Sequence, residues 1–519
     1  MKSFLDYIKS HQWAVILTLI ILAIAVRLVI VWNTYVISSD GPVYISVAKD
    51  YYAGNYKAAL SHPYHPLYPF LMSVAYHLRG SWEWAGLFIS ILFGALAIIP
   101  LWFIGKKIFP ATDGKVSSVV FIGCLFYIFH PLAARFSAEV LTTGLFMSLL
   151  FFTVWMMILA LSEWKYRYFF LAGVGAMMTY LVRPDGLILL FTAMALAVLV
   201  DIRRDYLKTV NKRALAVFIL MLPWLLAATP YLYHMYKTKG RIEITQKFSL
   251  AKVKTLFSKA DASEETATTE KPGTNRYLNA IYIVAKESVK GVHILLLLFL
   301  LVYVIFARRK APEPAADGKS GFVIWVIFGA YILALLMFAV IFGRISKRYT
   351  VPLEMLLVFF SAAGLDYLLT KMRLVNYKWL GIALTLIILS VHTFAPVGKD
   401  KLVYKTIGRA IRLDYVCNHT KGLPPINEGS MPKIITTSNR IVYYAHGWQI
   451  PVEGKFLDRL NEADYLVLDK TAEALWPETK GEIIIPGGKF RLAPLTYSDK
   501  PSKRLRIYCI LDAATGKHR

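Results

Sequence analysis

Asp40 is the first residue of this 519-residue chain with the type and setting for acid–base chemistry. It stands in Ser38-Ser39-Asp40-Gly41-Pro42, after an apolar run and ahead of the helical pattern Val43 to Ala53, which Gly54 stops. Ser39 or Asp40 also reads as the cap of that helix, with Pro42 in its first turn. The two roles are compatible, because a capping carboxylate stays ionised and an ionised carboxylate takes a proton from a hydroxyl. Next comes Ser61-His62-Pro63-Tyr64-His65-Pro66-Leu67-Tyr68-Pro69, too rich in proline for regular helix or central strand. Its two imidazoles suit hydrogen bonding to a substrate, metal binding, or a place at the lipid headgroups.

Glu139, in His130-Pro131-Leu-Ala-Ala-Arg135-Phe-Ser-Ala-Glu139, sits at the mouth of an apolar run, either as an exposed helix cap or as a second carboxylate turned inward. Arg183-Pro184-Asp185-Gly186 is a tight turn in form, but a paired Arg and Asp between two short apolar runs is poorly explained as a solvated loop. Arg344, Lys347 and Arg348 place three cations within five positions between late apolar runs, and Arg27 lies inside the first run. Such a cluster fits an anionic ligand, with headgroup binding as the alternative. Taken together, a carboxylate that takes a proton from an acceptor hydroxyl and cations that stabilise a departing phosphate suit transfer of a sugar from a lipid-linked phosphate. A lipid or glycolipid transporter is the runner-up, and it would place its charges near the midplane in broken helices repeated between halves; no such repeat is visible.

The elements that must position these residues are membrane spans. Hydrophobic residues make up 57% of the chain and charged residues 18%, with a mean hydropathy of +0.50. These values exclude disorder, collagen and coiled coil, and the length of the apolar blocks describes a polytopic membrane protein. The net charge of +26 sits in short connectors, where it orients a chain in a bilayer, so nucleic acid is not an expected partner. Apolar runs predict spans at 13–32, 84–104, 116–134, 141–161, 168–182, 186–200, 213–235, 291–307, 321–342, 350–369 and 379–396, eleven in all. The Ala-Ile-Ala at 23 to 25 resembles a cleavage site, but apolar sequence continues beyond it, which predicts an uncleaved anchor.

A cytoplasmic N-terminus makes every short inside loop basic, and it puts segments 37–83 and 236–290, the turns near 135, 183 and 344, and the tail outside. Runs 168–182 and 186–200 are short for a hydrocarbon layer of about 30 Å, so their joining turn is expected to sink into a protein-lined cavity. The stretch Ser258 to Asn275 reads as mobile or partly disordered, a plain linker in preference to a lid. From about 398 the character changes: strand-like runs at 433–437, 465–468, 482–485 and 505–510 alternate with helical patterns at 401–416 and 454–462. That predicts two domains, a membrane domain over 1–397 and a small extracytoplasmic α/β domain over 398–519. Three cysteines exclude a disulfide scaffold; Cys417 and Cys509 either pair or stay as buried thiols.

The order of these pieces resembles a known group. Asp40-Gly-Pro-Val-Tyr44, Gly54-Asn55, His65-Pro66-Leu67-Tyr68-Pro69, the Arg183-Pro184-Asp185-Gly186 turn and Arg348-Tyr349-Thr350-Val351-Pro352 are similar to family 39-type glycosyltransferases of the GT-C superfamily. Protein O-mannosyltransferases and the aminoarabinose transferases of lipid A are relatives, and the likeness covers roughly the first 370 residues. The resemblance implies an inverting transferase in a bacterial-type inner membrane that uses a polyprenyl-phosphate sugar and a glycan, lipid or protein acceptor. It implies Asp40 as catalytic carboxylate, Glu139 near the second carboxylate, and Arg348, with Arg344 and Lys347, at the donor phosphate, where Arg183 is expected to join them. Tyr44, His62, His65, Tyr68, Asp185 and Tyr349 are the expected substrate-binding residues. Relatives often carry Asp-Glu where this chain has Asp40-Gly41, and an acidic residue where it has Thr142-Thr143, so a divalent metal has no assigned ligands.

Overall fold

The computed structural model describes residues 12–110, 117–199, 206–239, 276–307, 319–372, 377–398, 401–419, 431–450, 459–460, 462–469, 483–484, 490–495 and 505–512. The chain divides into two compact units, Met1–Trp32 with Tyr44–Ala395, and Asn33–Val43 with Pro396–Arg519.

The first unit is helical. A helix lies over each of the expected apolar runs, and six helices among the described residues are long and apolar enough to cross a membrane: Gln12–Trp32, Trp82–Ile108, Thr143–Glu163, Val210–Lys237, Ser320–Phe342 and Lys347–Lys371. Ser118–Phe129, Gly186–Leu199 and Lys378–Thr393 are shorter apolar helices. The run at 116–134 is broken, because His130 leaves the helix and its Nδ1 accepts the Ala133 N–H to start a new turn at Pro131. The run at 291–307 is the second arm of a pair bent by 96°, Arg276–Val292 and Ile294–Ala307, with His293 in the left-handed region at φ 67° between them. Helix Arg276–Val292 falls in a segment whose sequence reads as loop, and its apolar residues Ala280 and Val284 pack on Leu335 and Ala339.

Small residues bring the helices together. Gly173 on helix Tyr166–Val182 lies against the Leu220 carbonyl of helix Tyr206–Lys239, leaving no room for a side chain. Nine residues on, the same helix ends at Val182 and Arg183 follows, so this contact fixes where the turn emerges. Arg27 is fully buried; its Nε donates to Ser137 Oγ at 2.8 Å, its Nη1 donates to the Ala23 carbonyl, and its guanidinium lies over the Tyr127 ring. The turn that carries Glu139 is thereby tied to the first span.

The second unit holds a six-stranded sheet of β1 Lys433–Ile435, β2 Trp448–Ile450, β3 Tyr465–Asp469, β4 Ile483–Ile484, β5 Phe490–Pro494 and β6 Leu505–Asp512, in the order β2-β1-β3-β6-β5-β4. Strand β1 runs parallel to β2 and β3, and the β3, β6, β5, β4 side is antiparallel. Residues alternate between faces: Ile434, Tyr465, Val467, Ile507 and Cys509 pack with Ile407, Ile411 and Tyr415 of helix Leu402–His419, while Ile435, Leu466, Tyr508 and Ile510 form the opposite core. Strands β2 and β5 and helix Asn439–Ala445 are additions to the sequence expectation, and the helix expected at 454–462 lies largely outside the described residues, as does Ser258 to Asn275. Cys417 is exposed and Cys509 buried, both unpaired.

Candidate functional site

The turn between helices Tyr166–Val182 and Gly186–Leu199 is built around one guanidinium. Arg183 Nε donates to Asp185 Oδ1 at 3.1 Å and Nη2 to Oδ2 at 2.8 Å, a two-point ion pair. Its Nη1 donates to the Arg348 carbonyl at 3.1 Å, and the Phe146 and Tyr349 rings lie 4.4 and 4.5 Å from its carbon centre. Tyr331 completes the turn by donating to the Asp185 carbonyl. The planar fork needs these partners because Arg183 is buried, and a buried cation without them carries a desolvation penalty.

Through that bond the turn meets helix Lys347–Glu354. Ser346 caps it, its Oγ accepting the Arg348 N–H, so the positive end of the helix coincides with Lys347 and Arg348. Arg344 is exposed and Lys347 half-buried, and neither is ion-paired among the described residues. Three cations and a helix N-terminus at one place are suited to an anion carrying two or more oxygens.

Beside the turn lies an aromatic wall that the sequence motifs locate only in part. His65, 5% exposed, meets Tyr180 edge-on at 5.1 Å and Tyr231 at 5.8 Å, and Tyr180 is three residues before Arg183 on the same helix. Trp224 lies 6.0 Å from Tyr180, and the Tyr51 and Tyr231 phenols are electrostatic neighbours. The hydroxyls of Tyr51 and Tyr231 and the Trp224 Nε1–H are buried without a hydrogen-bond partner among the described residues. Buried polar groups of this kind are normally satisfied, and aromatic faces set among unmet hydroxyl and N–H groups match the mixed surface of a sugar ring. His62 stacks on Tyr64 and Tyr44 packs edge-on to Tyr64 and Tyr68, extending the wall. Tyr68 is fully buried, its hydroxyl donating to the Gly86 carbonyl at 3.1 Å and bonded to Ser90 Oγ at 2.9 Å.

The carboxylates divide. Glu139 is 3.5 Å from Arg135 in an i,i+4 pair, with Thr142 and Thr143 buried just beyond it. Asp40 belongs to the other unit, half-buried at the start of helix Gly41–Tyr52. The cap there is Ser38, whose Oγ accepts the Gly41 N–H at 3.1 Å; Asp40 contributes its main-chain carbonyl to Val43, and Ser39 Oγ donates to Asp40 Oδ1 at 3.4 Å. A third carboxylate, Glu354, is 4% exposed and lies against Gly291 at the helix bend. An apolar run hid it in the sequence. No group of three or more His, Cys, Asp and Glu side chains among the described residues is arranged to hold a metal.

Residues 61–228 match the family model for dolichyl-phosphate-mannose-protein mannosyltransferases, a stretch that holds His62, His65, Glu139, Arg183 and Asp185. The whole fold is similar to that of ArnT from Cupriavidus metallidurans bound to undecaprenyl phosphate, at 13% identity and a TM-score of 0.57, covering 96% of this chain and 98% of that one. The apo state of the same enzyme gives a TM-score of 0.55 with the same identity and coverage. The oligosaccharyltransferase of Archaeoglobus fulgidus in its apo form is similar at 13% identity and a TM-score of 0.53, over 88% of this chain and 69% of that one. No curated protein sequence matches the chain. Two membrane glycosyltransferase folds that cover most of the chain, with a mannosyltransferase family match inside the membrane unit, place it at the level of fold in the GT-C superfamily.

Proposed function

We propose that this protein is an inverting glycosyltransferase that moves a sugar from a polyprenyl-phosphate donor to an acceptor hydroxyl on the extracytoplasmic side of a bacterial-type inner membrane. The observation that carries the reading is the joining, through Arg183, of the cation-rich helix start at Lys347 and Arg348 to an aromatic wall with unmet polar hydrogens. A lipid phosphate and the sugar attached to it call for these two surfaces side by side. The undecaprenyl phosphate bound by the structurally similar ArnT supports the choice of lipid.

In the mechanism, Asp40 takes the proton of the acceptor hydroxyl as its oxygen attacks the anomeric carbon. The bond from that carbon to the phosphate oxygen breaks, and its electron pair leaves on the phosphate, giving a glycoside and a polyprenyl phosphate. Arg344, Lys347 and Arg348 stabilise the charge that gathers on the leaving oxygen. Arg183, with Nε, Nη1 and Nη2 already engaged inside the protein, holds Arg348 and the turn in place instead of carrying the phosphate itself. His62, His65, Tyr44, Tyr51 and Tyr231 form the sugar site, and Glu139 stands near the acceptor. Incubating the purified protein with a panel of radiolabelled undecaprenyl-phosphate sugars tests this. Label passing to an acceptor supports transfer, whereas labelled lipid crossing sealed vesicles without a new covalent product supports transport.

A further inference from the structure

The segment that leads into Asp40 is gripped by side chains more than 350 positions later in the chain. Ile37, three residues before Asp40 and 4% exposed, donates its N–H to Tyr444 Oη at 2.9 Å and receives a hydrogen bond on its carbonyl from Arg440 Nε at 2.7 Å. Both side chains come from helix Asn439–Ala445, next to β1. Lys405 Nζ donates to the Tyr35 carbonyl at 3.4 Å and lies over the Tyr444 ring. Upstream, the Tyr35 N–H donates to the Val397 carbonyl, the Val397 N–H donates to the Asn33 carbonyl, and Val36 packs on Gly398, where an added Cβ would come within 2.6 Å. Downstream, the Ser38 hydroxyl closes the turn onto Gly41.

A surface loop needs none of this. Immobilising successive backbone residues costs conformational entropy of about 1–2 kcal/mol each, and here it is offset by bonds that converge on the segment just before one carboxylate. Proton abstraction depends on where the base oxygen sits to within a fraction of an ångström. We propose that the C-terminal α/β unit is a positioning element for Asp40, acting through Tyr444 and Arg440 as positioning residues. The inference rests on the reading of Asp40 as the base, and it gives that unit a part in the chemistry without contact with either substrate.

The test is a double variant, Tyr444→Phe with Arg440→Gln, assayed with undecaprenyl-phosphate mannose and any acceptor that the wild type glycosylates. The expected result is a fall in kcat of about ten- to a hundredfold with both KM values within about twofold of wild type. Arg440→Lys, whose ammonium can restore a donor to the Ile37 carbonyl, is expected to recover most of the loss in the presence of intact Tyr444. A melting transition that stays near the wild-type value separates positioning from unfolding. Wild-type kcat in the double variant overturns the inference, as does a loss that appears only in KM. If the double variant does not fold, Tyr444→Phe alone, which removes a single oxygen, decides it by the same split. Failure of the underlying reading looks different: there, Asp40→Asn itself turns over at the wild-type rate.

Discussion

Arg183 and Asp185 are joined by two hydrogen bonds, Nε to Oδ1 and Nη2 to Oδ2, while the third nitrogen of the guanidinium reaches the Arg348 carbonyl 165 positions away. One side chain thus fixes both the turn between two helices and the start of a third. Lysine cannot reproduce it, since an ammonium lacks the planar fork. Arg183→Lys is expected to cost about 1.5–3 kcal/mol of stability, as hydrogen bonds to a charged group are lost, and to weaken donor binding. Thermal melting in detergent and donor titration measure the two effects, and a variant that melts and binds like wild type removes Arg183 from this role.

The aromatic wall makes a separate demand. Tyr51→Phe and Tyr231→Phe keep the rings and delete hydroxyls that have no partner among the described residues, so folding is expected to be unaffected or slightly improved. Binding of the undecaprenyl-phosphate sugar that the wild type uses should weaken about two- to tenfold per hydroxyl, while binding of undecaprenyl phosphate without a sugar stays constant. Equal weakening of both ligands would move these residues from the sugar to the phosphate.

Close helix approach predicts a stability effect far from any chemistry. In Gly173→Ala the added methyl meets the Leu220 carbonyl, a main-chain atom that yields only if a whole helix shifts. A loss of about 1–3 kcal/mol is expected from overpacking, read as a lower melting temperature, with activity falling as Arg183 is displaced. An unchanged melting temperature contradicts the packing described here.

The cysteines separate by exposure and by charge. Burial, together with the nearby Asp414 carboxylate, pushes the Cys509 thiol up to about 12, so it stays protonated and unreactive across the physiological range. Cys124 is buried and Cys417 exposed. Iodoacetamide at pH 8 is expected to label Cys417 alone in the native protein and all three thiols after denaturation. Protection of both Cys417 and Cys509 until reduction would mean that they are paired.

Much of this architecture was legible because bilayer and strand periodicities leave strong marks. The apolar runs found their helices, and the strand-like runs at 433, 465, 483 and 505 found their sheet. What stayed hidden has physical reasons. Helix Arg276–Val292 is amphipathic, and its apolar residues are spaced too widely to read as a span. Glu354 sits in an apolar stretch, where a single carboxylate does not disturb the hydropathy. Among the site residues, the Arg183 turn was readable from its Pro-Asp-Gly pattern, and its burial followed from the two short flanking runs. The bonds of Tyr68 to the Gly86 carbonyl and Ser90 had no sign in the sequence, because they cross between separate helices. The grip of Tyr444 and Arg440 on Ile37 has no local signature, since it pairs residues about 400 positions apart.

Asp40 as the base and Arg348 as a phosphate ligand are both tested by one set of initial-rate measurements with radiolabelled undecaprenyl-phosphate sugar. Asp40→Asn keeps the shape and the Ser38 cap but removes the proton acceptor, so transfer is expected to fall by about a hundredfold or more while the donor still binds. Arg348→Ala is expected to raise the apparent KM for the donor without changing that for the acceptor. Wild-type turnover by Asp40→Asn, or equal losses toward both substrates in Arg348→Ala, would contradict the proposed chemistry.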